Sequence, residues 1–206
     1  MKKKRTFFLS LISCLIFINI QVSAESFEYI FEYYVTLQID NNNYVQRYGL
    51  EPASIRQIDE NNSSIKPFIY NGSTMLPVRA LINMLPICGP PTYDVAWHDS
   101  EGKVTILGKD SFGIAVIIAE FWIGSNTAVF YDRDGKNPWR VTIPNAPMIV
   151  GDRTFIPIRA VVDALHNRYE IEWIPSKQGI VIFWPSAAPR NVLFPDGSIF
   201  TFSDIT

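Results

Sequence analysis

Apolar and polar residues alternate from Phe27 to Ile39. Phe27, Tyr29, Phe31, Tyr33, Val35, Leu37 and Ile39 fall on one side, and Glu28, Glu32, Thr36, Gln38 and Asp40 on the other. A period of two predicts a half-buried strand. With Glu28 and Glu32 on its open side, this strand is a candidate sheet edge. A counterpart is predicted over 114–123, more uniformly apolar and therefore more central. Residues 41–66 are polar and irregular and predict loops with one short strand.

Further along, the pattern changes period twice in the same way. Asn71-Gly72 stands between Phe68-Ile69-Tyr70 and Thr74-Met75-Leu76, and Gly151-Asp152 holds the same place between two other apolar runs. Such dipeptides tolerate positive φ and predict tight hairpins. Pro77 and Pro157 then open segments whose apolar residues are Val78, Leu81, Ile82, Leu85 and Ile158, Val161, Val162, Leu165. The i, i+3, i+4, i+7 spacing predicts one face of a short helix, with proline in its first turn. Packing must hold helices this short, because propensity cannot. Each is followed by a predicted strand ending in Trp97 or Trp173, a polar turn and a second strand. Residues 70–85 and 150–165 match with Thr, Pro, Arg, Ala and Leu identical, which predicts a tandem duplication.

The fold class expected is α+β, with two repeated units, each a small antiparallel sheet with one short helix packed on it. The divisions are 1–24, a signal peptide; 25–109, the first unit; 110–184, the second; and 185–206, a tail with a hairpin near Ile199. The link between Leu107 and Phe112 is too short for independent domains, so the units are expected to pack together.

The segments Asn71-Gly72-Ser73-Thr74-Met75-Leu76-Pro77-Val78-Arg79-Ala80 and Gly151-Asp152-Arg153-Thr154-Phe155-Ile156-Pro157-Ile158-Arg159-Ala160, each followed by a strand bearing Trp97 or Trp173, resemble the copper amine oxidase N-terminal, or stalk, domain family. The resemblance covers roughly 34–107 and 112–183. It departs from the family pattern at Ser73, where arginine is preferred and Arg153 keeps it. It departs again after both helices, where a Gly-Ala is missing, and at Ile174-Pro175, which replaces an acidic residue after Trp173. The resemblance implies an α+β module of secreted and cell-surface proteins of Gram-positive bacteria. It implies neither copper nor amine oxidation, because the family is named for a non-catalytic appendage.

The N-terminus reads as an export signal. Lys2, Lys3, Lys4 and Arg5 precede an apolar stretch from Phe7 to Ile20, and Val22-Ser23-Ala24 supplies the small residues of a cleavage site. Leu11-Ile12-Ser13-Cys14 also resembles a lipoprotein box, so the membrane enters only through an N-terminus left uncleaved or lipidated at Cys14. The chain has 18 basic and 20 acidic residues. Residues 1–24 hold four of the basic ones and none of the acidic, so the remainder carries 14 against 20, a net charge of −6. That balance argues against a nucleic-acid partner. Beyond Cys14 only Cys88 is left, and a lone cysteine makes no intramolecular disulfide.

Candidate chemistry is sparse. His98 and His166 are the only histidines and fall at different places in the two segments, so no copper centre, which needs several imidazoles, is expected. No Gly-x-Ser-x-Gly elbow is present. Asp132-x-Asp134-Gly135 lacks the later ligands of a calcium loop and reads as a turn. No metal, cofactor or catalytic residue is therefore expected. Arg79 and Arg159 sit in the first helical turn, where the dipole disfavours a cation, so a carboxylate or carbonyls of the following strand should offset them. They serve as structural ties or as anion contacts. Trp97 and Trp173 either cover the helices or, if exposed, stack on a sugar. These four are the candidate ligand-binding residues. The expected function is a secreted, non-catalytic cell-envelope module, a spacer or a binder of wall polymer or carbohydrate. The alternative is a protein-interaction module with another surface protein as partner. A hydrolase, the third reading, needs a deep polar pocket with perturbed acids.

Overall fold

The computed structural model describes residues 32–85, 93–109, 112–166 and 168–202. The expected signal peptide, Cys14, Cys88 and the first residues of the alternating stretch lie outside them. Strands β1 (Glu32–Gln38), β2 (Asn43–Gly49) and β3 (Ser54–Gln57) open the chain. The hairpin β4 (Phe68–Tyr70) and β5 (Ser73–Pro77) leads into helix α1 (Val78–Met84), followed by β6 (Asp94–His98) and β7 (Lys103–Lys109). Next come β8 (Ala115–Trp122), β9 (Thr127–Phe130), β10 (Trp139–Thr142), the hairpin β11 (Met148–Val150) and β12 (Arg153–Pro157), and helix α2 (Ile158–Ala164). Strands β13 (Glu170–Ile174), β14 (Gly179–Phe183), β15 (Asn191–Leu193) and β16 (Ile199–Thr201) complete it. The architecture is α+β, mostly antiparallel sheet with two short helices.

Both hairpin turns follow from their dipeptides. Asn71 and Gly72 take φ of 45° and 77°, Gly151 and Asp152 of 53° and 59°. Positive φ at both central residues is what a two-residue primed turn requires. The register Tyr70↔Ser73 and Val150↔Arg153 closes directly on each turn. The helices begin one residue later than the prolines suggest. Pro77 and Pro157 have ψ of 124° and stand as caps at the ends of β5 and β12. A proline nitrogen has no N–H to donate, so it ends the ladder without breaking it. The predicted helix faces are buried throughout: Val78, Leu81, Ile82 and Leu85, and Ile158, Val161, Val162 and Leu165.

The strands do not sort into one sheet per segment. One five-stranded sheet runs β13-β14-β1-β2-β3, a second runs β10-β9-β8-β7-β6, and a four-stranded sheet runs β11-β12-β5-β4. The hairpin β13-β14 therefore lies on β1, and β6-β7 on β8. Strands β5 and β12 pair with each other, Leu76 opposite Ile156 and both fully buried. Two-stranded hairpins are marginal alone, and each gains a neighbour this way. A single buried cluster runs from Val35 and Leu37 through Leu76, Leu81, Phe121 and Phe155 to Ile182.

Two expectations are corrected here. The opening strand is no edge, because β1 lies between β14 and β2 with both faces buried. Glu32 does not guard an edge but is buried, with its carboxylate 2.9 Å from the Arg47 guanidinium. The second face is covered by the β15-β16 hairpin, whose Val192 and Phe194 pack with Tyr34, Val45, Val181 and Phe183. Thr36 Oγ1 donates to the Leu193 carbonyl at 2.6 Å, which satisfies a polar group that would otherwise forbid the burial. The stretch 41–66 holds two strands, β2 and β3, rather than one, because Tyr44 and Val45 pair with Leu37 and Thr36. The predicted second strand, seen as β8, lies in the middle of its sheet. Beside it, Lys103 bridges Glu101 at 2.8 Å and Glu120 at 2.9 Å, and Tyr131 donates to Glu120 at 2.7 Å.

Asp196 pins the tail. Its carboxylate accepts from the Ser198 hydroxyl at 2.6 Å, from Gln38 Nε2 at 3.0 Å and from the Ser198 N–H at 2.9 Å. These bonds hold its pKa down to about 2, against the usual 3.8. A folded-state pKa below the unfolded value gives stability that is present above the unfolded pKa and lost as pH falls through the folded one. Hydrogen-exchange protection of residues 191–201 should therefore drop as the pH goes from about 4 to about 2. Asp196→Asn should remove the drop in that window. An equal drop in both proteins would show that another group controls the tail.

Candidate functional site

Arg79 opens α1, a helix with no acidic residue in its first turn. Its Nη2 donates to the Val95 carbonyl at 2.7 Å and its Nη1 lies 3.4 Å from Asp94 Oδ1, so β6 supplies both partners. Arg159 does the same in α2, with Nη2 donating to the Ile171 carbonyl of β13 at 3.2 Å. A carbonyl or carboxylate aimed at the guanidinium offsets the unfavourable helix dipole. The Arg79–Asp94 pair is exposed and so adds little beyond orientation.

Trp97 and Trp173 stand on the edge strands β6 and β13, and each keeps about two-fifths of its surface exposed, 39% and 40%. The indole N–H of Trp97 donates to the Asp99 carboxylate two residues on. Asp99 in turn opens a short 3-10 turn, Asp99–Glu101.

The structure brings two of the four candidates together. A cleft of about 880 Å³ is lined by Arg79, Ala80 and Asn83 of α1, by Trp97, by the segment from Arg56 to Asn61, and by Asp152 and Arg153 of the second hairpin. Its volume lies in the range of small-ligand sites. Arg159 and Trp173 do not line it. The far wall is held by an ion pair: Arg153 Nε and Nη2 both lie 2.9 Å from Asp59 Oδ2. Burial would raise the Asp59 pKa, but the Asn61 N–H and the Arg153 guanidinium outweigh it and hold the carboxyl below its usual range.

The corresponding place on the first hairpin is filled differently. Ser73 opens β5 as Arg153 opens β12, and its Oγ accepts from Asn145 Nδ2 at 2.8 Å. Asn145 is buried and also lies 3.1 Å from the Tyr70 carbonyl. The departure of Ser73 from arginine thus goes with an amide partner in place of a carboxylate. Asp59, Arg56 and Asn145 escaped the sequence reading. Asp59 and Arg153 are 94 residues apart, and only the local signature of Arg153 after its turn hinted at a role.

The cleft's residues suit binding rather than metal chemistry. No histidine or cysteine is among its lining residues. Among the described residues no group of three or more His, Cys, Asp or Glu could hold a metal ion. A copper centre therefore does not fit this cleft, whose lining offers no imidazole or thiolate. Among the described residues no helix is long and apolar enough to cross a membrane.

No curated protein and no solved structure is similar enough to the chain to count as a match. The family model of the copper amine oxidase N-terminal domain, a non-catalytic module of those enzymes, matches residues 57–182. That span runs from the cleft wall at Gln57 through both hairpin-helix segments to Ile182 in β14, more than half of the sequence, and the chain belongs to the copper amine oxidase N-terminal domain family.

Proposed function

We propose that the chain is a secreted, non-catalytic cell-envelope module of a Gram-positive bacterium that holds a wall polymer or carbohydrate in the cleft between Arg79 and Trp97. The observation that carries this reading is a two-fifths-exposed indole on the wall of a cleft lined by polar and apolar residues alike. A rigid ring on two side-chain torsions loses little entropy on binding. A glycosidase needs one carboxyl with a raised pKa as general acid, and Asp59, the cleft carboxyl paired with Arg153, is instead held down.

The same reading takes residues 1–24 as a cleaved signal and 25–109 and 110–184 as tandem copies followed by a tail. The tandem copies are supported by the two seven-residue helices, each entered from a proline-ended strand. The test is co-sedimentation of the purified protein with isolated cell walls. Trp97→Ala should weaken retention about tenfold or more, the usual effect of truncating an aromatic anchor, with an unchanged circular dichroism spectrum. Equal retention of the variant would sink the assignment of the cleft.

A second reading, a protein-interaction module, has its own observation. Ile69 and Tyr70 on β4 and Ile149 and Val150 on β11 are exposed, and these are the edge strands of one sheet. Replacing Ile69 and Val150, neither of which lines the cleft, by lysine should leave wall retention unchanged under the first reading and abolish surface attachment under the second.

A further inference from the structure

The charges around the cleft decide which wall component it can accept. Four carboxylates line it, those of Asp59, Glu60, Asp99 and Asp152, against three guanidiniums, Arg56, Arg79 and Arg153. Two of the three cations are already engaged, Arg153 by Asp59 and Arg79 by the Val95 carbonyl and Asp94. A polyphosphate backbone entering here would meet net negative charge, and would have to displace those partners to reach either guanidinium. Asp59 is held by Arg153 and Asp99 accepts from the Trp97 indole, so Glu60 and Asp152 are the carboxylates that face a ligand. Carboxylates only accept hydrogen bonds, so these two match a chain rich in hydroxyl and amide donors. Trp97 supplies the complementary apolar surface, on which the C–H face of a pyranose can lie.

Resting on the binding reading above, we infer that the cleft takes an uncharged glycan, the sugar strand of the wall, and rejects its anionic polymers. The test uses the full protein and three probes: walls stripped of teichoic acid, purified teichoic acid, and soluble N-acetylglucosamine oligomers. Retention on stripped walls should equal or exceed that on intact walls. It should change less than about twofold between roughly 0.05 and 0.5 M salt, since no counterions are released. The oligomers should compete for it, and Trp97→Ala should abolish the competition. Binding that is lost on stripping, or that falls more than about tenfold with salt, would overturn the glycan assignment while leaving a wall binder. Absence of binding to all three probes and to intact walls would overturn the binding reading and this inference with it.

Discussion

Gly179→Ala should cost the protein about 2–3 kcal/mol, the cost of forcing an atom into a packed interior. A Cβ at this position would lie 2.4 Å from Phe194 Cε1 and 2.6 Å from the Leu37 carbonyl oxygen. The carbonyl belongs to the neighbouring strand β1, and the Phe194 ring is fully buried, so neither can step aside cheaply. The ring is the easier of the two to expel, and with it goes the cover over Tyr34, Val181 and Phe183. The expected result is a melting temperature lowered by about 4–12 °C, with limited proteolysis cutting within 185–202 before the rest of the chain. A variant that melts within about 0.5 kcal/mol of the parent would show that the tail does not seat on β14.

Leu76→Ala should be costlier, about 3–5 kcal/mol, as for leucines at sites that cannot collapse. Leu76 stands opposite Ile156 where β5 meets β12, and both are fully buried. The sheets on either side of this join exchange their hairpins, β13-β14 onto β1 and β6-β7 onto β8. Loss at the join should therefore lower the stability of the whole chain. Urea unfolding followed by tryptophan fluorescence and by far-ultraviolet circular dichroism should give one coincident transition at a lower midpoint. Two separated transitions would mean that the segments before and after residue 110 fold independently.

Much of the local structure could be read from the residues. The hairpins followed from Asn71-Gly72 and Gly151-Asp152, and the helix faces from apolar spacing, because both depend on neighbours within a turn or two. The partner of Arg79 was foreseeable for the same reason: Val95 lies 16 residues on, at the start of the next strand. Strand partners were another matter. Alternation marks a face but does not say what covers it, and the cover over Thr36 arrives from Leu193, 157 residues later. Glu32 consequently looked like an edge guard when it is a buried ion-pair partner. The cleft was legible only as single residues. Arg79 and Trp97 were visible as candidates, but Asp59 and Arg153, which hold the opposite wall, meet only through the fold.

The pairing of β1 with β14 has a mechanical consequence. Tyr34 lies opposite Phe183 and Gln38 opposite Gly179, so the start of β1 and the end of β14 share one end of the ladder. Tension entering the chain before Glu32 and leaving after Phe183 would pull the two strands apart from that end, loading their hydrogen bonds one at a time rather than all together. Such a ladder unzips at low force, while one pulled in shear resists. A strut in a wall under turgor needs the second geometry. A module that only has to recognise its surroundings can be built on the first.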